Sequence, residues 1–232
     1  MTDGKAHRDD CIGKFIQGLH GTPNGKFTIR DLLSHRSGLC RSDGLLFGSD
    51  SRLILTKSQG IDFFAQLGAA RPPRQGFLYN NFGYHVVGCV IVQVSSMNYS
   101  KLLAQCISRP LDTDRTFTKP PPNIRPEYCK GLLDVPYCNL QLREVSPRMS
   151  DDTVAFSAEG ARSCMRDFLI FYAALLRKFT MLTPEPVLGD AALGAILGAA
   201  IPLPASTSFR EQSYGMGLAR TQLPSVLSNK LF

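Results

Sequence analysis

The sequence lacks the residue spacings that mark metal, nucleotide and α/β-hydrolase sites. Its seven cysteines and four histidines include no C-x-x-C, no close histidine pair and no H-E-x-x-H, which argues against zinc. A Walker A loop, a G-x-G-x-x-G turn and a G-x-S-x-G elbow are also missing. We therefore expect no metal and no cofactor. The odd number of cysteines, several of them in apolar runs, favours reduced thiols in a cytoplasmic protein. The scattered histidines are interpreted as structural: His7, His20, His35 and His85.

Long apolar runs and dense blocks of one charge are missing as well. The first ten residues are polar and charged and do not form a secretory signal. The most apolar stretch, 187–204, contains Asp190 and two prolines. Gly194 and Gly198 form a G-x-x-x-G pair, which could mark a contact between membrane helices. Because the stretch contains a charge and two prolines, no membrane segment is expected. The net charge is +7, but Lys and Arg are spread along the chain, which indicates a mildly basic surface and no nucleic-acid partner.

The composition allows a folded core. Hydrophobic residues make up 44% and charged residues 19% of the 232 residues, which fits one large domain or two small ones. In segment 28–39, Thr28 and Asp31 have capping-box spacing and Gly38 suits a left-handed helix end, so a short helix is predicted. The periodicity predicts an α-rich or α+β protein in which strands come late. Further helices are predicted at 9–16, 58–68, 82–96, 97–111 (ending before Pro110) and 158–178, and strands at 130–145 and 212–223. The β-branched content of 82–96 would also permit a strand.

Three polar side chains, Tyr79, Asn80 and Asn81, stand at the start of the apolar run 82–96. If a buried helix begins near Phe82, they form the loop that leads into it. A tyrosine there can relay a proton, and the amide two residues on can bind a substrate amide or ester. In the structural alternative, Asn81 caps the helix and the Tyr79 ring packs on the surface. The tripeptide alone favours the structural alternative.

Longer segments change that balance. TIRDLLSHRSGL at 28–39, FLYNNFGYHVVG at 77–88 and SAEGARSCMRDFLIFYAALL at 157–176 occur in this order, with SRPLDTDRTF at 108–117 and YGMGL at 214–218. The ordered set resembles the serine β-lactamase-like family, which includes class C β-lactamases, DD-peptidases, and esterases and transesterases of the same fold. The resemblance covers nearly the whole chain. It implies an α+β, β-lactamase/transpeptidase-like fold, with a helical region and an antiparallel sheet flanked by helices.

The resemblance also implies a catalytic site with three parts. Ser-x-x-Lys supplies the nucleophile, Tyr-x-Asn relays a proton and binds substrate, and a Lys/His-x-Gly edge strand supports the oxyanion site. Tyr79 matches the family's catalytic tyrosine and Asn81 its substrate-binding asparagine. The first and third parts are absent from the 232 residues. The expectation is one β-lactamase-like domain over 1–232, truncated at both ends, without the nucleophile helix and the final strands.

Three functional hypotheses follow. The first is a truncated hydrolase or acyltransferase of the family that acts on an ester, lactone or amide, belongs to a fungal secondary-metabolite pathway and is inactive as this chain. The second is a non-catalytic relative in which Tyr79 and Asn81 bind a small ester or amide. The third is an unstable remnant with uncovered strand edges and apolar surfaces. The sequence leaves open the substrate, the choice between hydrolysis and acyl transfer, and the oligomeric state.

Overall fold

Helices come first along the chain, and the strands in the described part all follow residue 118. The computed structural model describes residues 4–42, 53–118, 132–134, 142–144, 151–179, 189–198, 200–204 and 211–222. The helices are α1 (Ile29–Leu33), α2 (Lys57–Gln66), α3 (Asn81–Ser95), α4 (Tyr99–Leu103), α5 (Arg109–Leu111), α6 (Met165–Phe179) and α7 (Asp190–Leu197). The strands are β1 (Leu132–Asp134), β2 (Leu142–Glu144), β3 (Ile201–Pro202), β4 (Glu211–Tyr214) and β5 (Ala219–Gln222).

Helix α3 is the centre of the hydrophobic core. Nine of its first ten residues are buried, and it packs against both α1 and α2. The run 82–96 was predicted as a buried helix with a strand as the alternative, and the helix is confirmed. Burial of a large apolar side chain adds about 1.5–3 kcal/mol to the free energy of unfolding. Because the first turns of α3 are buried, the core holds the start of this helix in place. Its fully buried apolar members include Ile12, Leu19, Leu32, Phe64, Phe82, Val86, Val90 and Val154.

The start of α1 confirms the capping box, whereas its end differs from the prediction. The Thr28 side chain accepts from the Asp31 N–H, and the Asp31 side chain accepts from the Thr28 N–H. The helix then stops at Leu33, five residues before Gly38. His35, with φ of 53°, takes the left-handed conformation that was expected at Gly38, while Gly38 (φ of 76°) serves a later turn. An added Cβ at Gly38 would meet the Arg71 carbonyl oxygen, so close backbone approach is the reason for glycine there.

Three further helix predictions were wrong in their bounds. Segment 9–16 forms only a 3₁₀ turn, Ile12–Lys14, because Cys11 pairs with Thr28 as a β-bridge. Segment 97–111 was predicted to end before Pro110, but a π turn at Ala104–Ser108 precedes α5, which includes Pro110 in its first turn. A proline is tolerated in a first turn because its missing N–H is not needed there. Segment 158–178 yields α6 only from Met165 onward.

In the described part of the chain, the late strands are confirmed and form two small antiparallel sheets. One pairs β1 with β2, and the other has the order β3-β4-β5. The predicted strand 212–223 is in fact a hairpin, in which β4 and β5 are joined through Gly215–Leu218. Helix α7 packs closely on this turn, since an added Cβ at Gly215 would clash with the Ile196 carbonyl oxygen. Together these elements confirm an α+β architecture.

Among the described residues, one bent pair of helices has the length and apolar character needed to cross a membrane. No single described helix has both properties, but α3 together with Tyr99–Leu111, bent by 81°, has them as a pair. The Gly194–Gly198 spacing falls at the end of α7, which spans Asp190–Leu197.

Candidate active site

The strand-like segment before α3 is tied to the loop after α1 by backbone hydrogen bonds. Leu78 N–H donates to the His35 carbonyl oxygen at 2.8 Å, and Asn80 N–H donates to His35 Nδ1 at 3.1 Å. Tyr79 stands between these two bonds. Its backbone position is therefore set by His35, which comes 44 positions earlier in the sequence.

Asn80 is the residue that caps α3. Its Oδ1 accepts from Gly83 N–H at 3.0 Å, and its Nδ2 donates to the Cys40 carbonyl oxygen at 2.8 Å. The side chain is 2% exposed, so both ends of the amide are satisfied inside the protein. The structural alternative drawn from the sequence assigned the cap to Asn81, and that assignment was wrong. Asn81 is instead the first residue of α3.

Tyr79 presents its ring at the surface. It is 38% exposed, and its ring lies 4.3 Å from the His35 ring centroid with the planes tilted by 37°. The Arg41 guanidinium lies 5.8 Å from the Tyr79 ring centroid. A cation at this distance is attracted to the ring face. The geometry suits a phenol that is held in place but open to a bound molecule.

Asn81 lies deeper, beside a carboxylate. It is 5% exposed, and its Nδ2 donates to Glu159 Oε1 at 3.0 Å. Sequence reasoning missed Glu159, and no pattern in the sequence links these two residues, which lie 78 positions apart. Because Nδ2 donates to this carboxyl oxygen, the bond fixes which way the Asn81 amide group faces.

The His35 ring lies at the centre of a cluster of aromatic side chains that includes Tyr79. It is 1% exposed, and burial lowers its pKa to about 4, so the ring is neutral at pH 7. Nδ1 accepts from Asn80, and Nε2 has no hydrogen-bond partner among the described residues. The imidazole thus acts as a packed acceptor, in line with its structural interpretation. The surrounding rings are Phe77, Tyr79, Tyr84 and Tyr214, with centroids 4.3–5.5 Å from that of His35.

Tyr84 connects this cluster to α1 and to the hairpin. Its hydroxyl donates to the Leu33 carbonyl oxygen at 2.8 Å. Burial, reinforced by the Tyr214 hydroxyl, raises the pKa of Tyr84 far above its usual range. Tyr84 therefore stays protonated and is no candidate for the base, which leaves Tyr79 as the exposed phenol of this cluster.

A buried ion network holds the loop that leads to Tyr79. Asp31 is 0% exposed, and it accepts from Arg36 Nε at 2.8 Å and from Arg74 Nη2 at 2.8 Å. Burial by itself opposes ionisation of Asp31, but hydrogen bonds from Arg74, Thr28 and Arg36 outweigh it and lower the pKa to about 2. Arg74 N–H also donates to the Arg36 carbonyl oxygen at 2.7 Å. The network joins α1 to the 71–80 segment.

The geometry does not supply every part of a serine acyl-enzyme. The 232 residues contain no Ser-x-x-Lys and no Lys/His-x-Gly. The described residues also contain no group of three His, Cys, Asp or Glu side chains that could hold a metal. What the structure brings together is an exposed phenol, a buried amide and a carboxylate at the N-terminus of a rigid helix.

Comparison with known proteins identifies the family. A family model described as Beta-lactamase matches residues 1–227. The chain belongs to the β-lactamase family. The resemblance drawn from the segments around Tyr79 is therefore confirmed, and so is the β-lactamase/transpeptidase-like fold.

Individual members of the β-lactamase family are similar to parts of the chain. A putative D-alanyl-D-alanine carboxypeptidase of Escherichia coli O157:H7 is 28% identical over 134 residues, which is 52% of this chain and 30% of that protein. The Unguisins hydrolase ungD of Aspergillus violaceofuscus is 30% identical over 112 residues, covering 48% of this chain and 19% of that protein. The matched region thus spans less than a third of the length of either relative.

A solved structure supports the same family fold. The D-amino acid amidase of Ochrobactrum anthropi SV3, complexed with L-phenylalanine amide, aligns with a TM-score of 0.70. The alignment covers 96% of this chain and 61% of the amidase, at 22% sequence identity. At that identity the likeness concerns the fold, and the roles of Tyr79 and Asn81 remain predictions.

Proposed function

We propose that this chain carries the proton-relay and substrate-binding part of a β-lactamase-family site that acts on small amides, esters or lactones. The observation that carries the proposal is the arrangement at the start of α3. Tyr79 is 38% exposed, whereas Asn80 and Asn81 are 2% and 5% exposed. The Asn80 cap and the two hydrogen bonds to His35 fix the backbone of Tyr79 directly before α3, whose first residue is Asn81.

Each residue has a chemical role in this proposal. The Tyr79 phenol passes a proton between the attacking and leaving groups, and the Arg41 cation 5.8 Å from its ring centroid stabilises negative charge when that proton leaves. The Asn81 amide binds the carbonyl or amide group of the substrate. Because the Asn80 and Asn81 side chains are already held by the protein, little ordering is needed when a substrate arrives.

The nucleophile of such a reaction is not among the 232 residues, which contain no Ser-x-x-Lys. A nucleophile and its base act as a unit, so a chain without them retains little turnover. We therefore expect the 232-residue chain to bind its ligand without forming an acyl-enzyme.

The names of the relatives narrow the proposed substrates. They include a carboxypeptidase and an amidase for D-amino acid compounds and a fungal hydrolase named for unguisins. These names support an amide or peptide-like substrate, and the fungal relative supports a place in a secondary-metabolite pathway. A cytoplasmic location is part of the proposal, supported by free thiols at the described cysteines, which suit a reducing compartment.

The test has two measurements on the purified chain. Isothermal titration with small amides and esters is expected to show binding that Tyr79→Phe weakens about three- to tenfold, the value of one hydrogen bond. Tyr172→Phe is the matched control, because Tyr172 on α6 is also 38% exposed. A fluorophosphonate probe is expected to label no serine. Stoichiometric labelling of one serine, or equal effects of the two tyrosine variants, would contradict the proposal.

The second candidate is a non-catalytic ligand-binding protein, favoured by the same absence of Ser-x-x-Lys. As a purely binding site it is expected to be stabilised against heat by a small ester or amide ligand, and Tyr79→Phe is expected to abolish that stabilisation. No shift of the melting temperature with a broad panel of such ligands would count against this candidate.

A further inference from the structure

The His35 ring accepts a hydrogen bond that only an unprotonated imidazole can accept. Its Nδ1 takes the Asn80 N–H at 3.1 Å, so the proton of the neutral ring lies on Nε2. A protonated imidazole carries a proton on both nitrogens and has no acceptor left. Its Nδ1–H would then face the Asn80 N–H, two donors in contact, directly beside the backbone of Tyr79.

The surroundings of His35 do not favour a positive charge on the ring. The ring is 1% exposed, and its Nε2 has no hydrogen-bond partner among the described residues. Asp31, the carboxylate nearest in sequence, is bound by Arg36 and Arg74. Burial without a carboxylate partner makes the protonated form costly. The rings packed against His35 come from the segment before α3 (Phe77 and Tyr79), from α3 (Tyr84) and from β4 (Tyr214).

Two bonds of the segment before α3 end on this one residue. Leu78 N–H donates to the His35 carbonyl oxygen at 2.8 Å, and Asn80 N–H donates to the ring. His35 has a φ of 53°, a left-handed conformation that is strained for a residue with a Cβ, so opening relieves strain. The cap of α3 does not depend on His35, since Asn80 Oδ1 accepts from Gly83 N–H.

We infer that His35 is a positioning residue of the candidate site: its neutral ring holds the Tyr79 backbone in place before α3, and protonation of the ring releases it. The inference rests on the proposed function and names a regulation of that same site. Acid would remove the phenol from its position while α3 stays folded.

Hydrogen exchange followed by mass spectrometry at pH 7 and pH 5 tests this inference without any ligand. The readout is the protection of peptides covering 77–83 and 86–92, corrected for the intrinsic exchange rate. The proteins are the wild type, His35→Asn and the matched control His85→Gln. Asparagine keeps an acceptor oxygen near the place of Nδ1, tolerates the left-handed backbone and does not titrate. His85 is 0% exposed and lies against the Lys57 carbonyl oxygen, away from 77–83 in the sequence contacts of Asn80.

From pH 7 to pH 5, the protection of 77–83 in the wild type is expected to fall about twentyfold. Burial holds the pKa of His35 at about 4 in the closed form, whereas an exposed histidine has a pKa of about 6.5. The fall is expected to persist in His85→Gln and to be lost in His35→Asn. A purely structural histidine would let 77–83 exchange only when the whole protein unfolds. Equal effects of the two variants, or a fall that persists in His35→Asn, would overturn the inference.

A second comparison decides the question if circular dichroism shows that His35→Asn does not fold. A twentyfold fall for 77–83 that remains in His85→Gln, with 86–92 better protected than 77–83 at pH 5, would support the inference. Equal protection of the two peptides at pH 5 would overturn it.

The role of His35 and the proposed function can fail separately. If small amides or esters bind at pH 7 but 77–83 stays protected at pH 5, the proposed function stands and the role of His35 fails. If 77–83 opens at pH 5 but no amide or ester binds at pH 7, the acid-sensitive hold on the Tyr79 backbone stands and the proposed function fails.

Discussion

Acid is expected to destabilise the protein through two buried histidines, and His85 offers the cleaner measurement. His85 is 0% exposed, its Nε2 lies 3.0 Å from the Lys57 carbonyl oxygen, and Nδ1 has no partner among the described residues. Burial lowers the pKa of His85 to about 4, against a smaller opposing effect of the Lys57 carbonyl. In the unfolded chain a histidine has a pKa of about 6.5.

The sign follows from these two values. Between about pH 6.5 and pH 4, His85 binds a proton in the unfolded chain but not in the folded protein. The free energy of unfolding therefore falls as the pH falls. The stability is fully present above the unfolded pKa. From pH 7 to pH 5, His85 alone is expected to remove about 2 kcal/mol. His35, whose pKa burial also lowers to about 4, is expected to remove a similar amount.

The variant His85→Gln removes one titrating group and keeps a donor for the Lys57 carbonyl. Urea unfolding at constant ionic strength, followed at pH 7, 6 and 5, measures the free energy of unfolding. His85→Gln is expected to be less stable at pH 7 but to lose about 2 kcal/mol less than the wild type between pH 7 and pH 5. His20→Gln is the control, because His20 is exposed. Parallel curves for the wild type and His85→Gln would refute the reasoning.

Three further changes test the packing around the site. Asp31→Asn removes the charge that binds Arg74, and is expected to cost about 2 kcal/mol, from a pKa lowered to about 2. The Asp31 carboxylate is ionised in the folded and the unfolded protein at pH values above its unfolded pKa. The difference in free energy of unfolding between the wild type and Asp31→Asn, measured with urea, should therefore be constant from pH 7 to pH 5. A difference that becomes smaller over this range would contradict the prediction. Gly88→Ala places a Cβ against the Ser157 side chain and is expected to lower stability by about 1–3 kcal/mol; an unchanged melting temperature would argue against this close contact. Leu169 on α6 is 62% exposed, so Leu169→Glu should change the free energy of unfolding by less than about 0.5 kcal/mol. The same variant should scatter less light, because fewer molecules associate through this apolar face. A large loss of stability would show instead that this face is covered in solution.

The exposed face of α6 bears on the hypothesis of an unstable remnant. Large apolar side chains are exposed along one face of the helix in the described structure: Met165, Phe168, Leu169, Tyr172 and Leu176. The core formed by α1, α2 and α3 is nevertheless well buried. A single sharp thermal transition of the 232-residue chain would argue against the remnant, whereas a broad transition with dye binding would support it.

Some features that depend on neighbours in sequence were predicted correctly. The capping box of Thr28 and Asp31 involves groups three residues apart, so spacing was enough to locate the start of α1. The apolar run after Asn81 is long and hydrophobic on all sides, which indicated the buried helix α3. The ordered segments around Tyr79 also identified the family, because they combine helix patterns with a polar motif at a fixed place.

Features that depend on contacts between distant residues were decided only by the tertiary structure. Asn80 rather than Asn81 became the cap, because Cys40 and His35 supply partners that only the folded chain brings near Asn80. Glu159 reached Asn81 through a turn set by the buried Ala155 and Phe156, and the sequence between them carries no periodic signal for that contact. Hydrophobic periodicity records which residues are buried, but it does not record which polar groups meet, since hydrogen-bond partners are chosen by the packing of elements far apart in the chain.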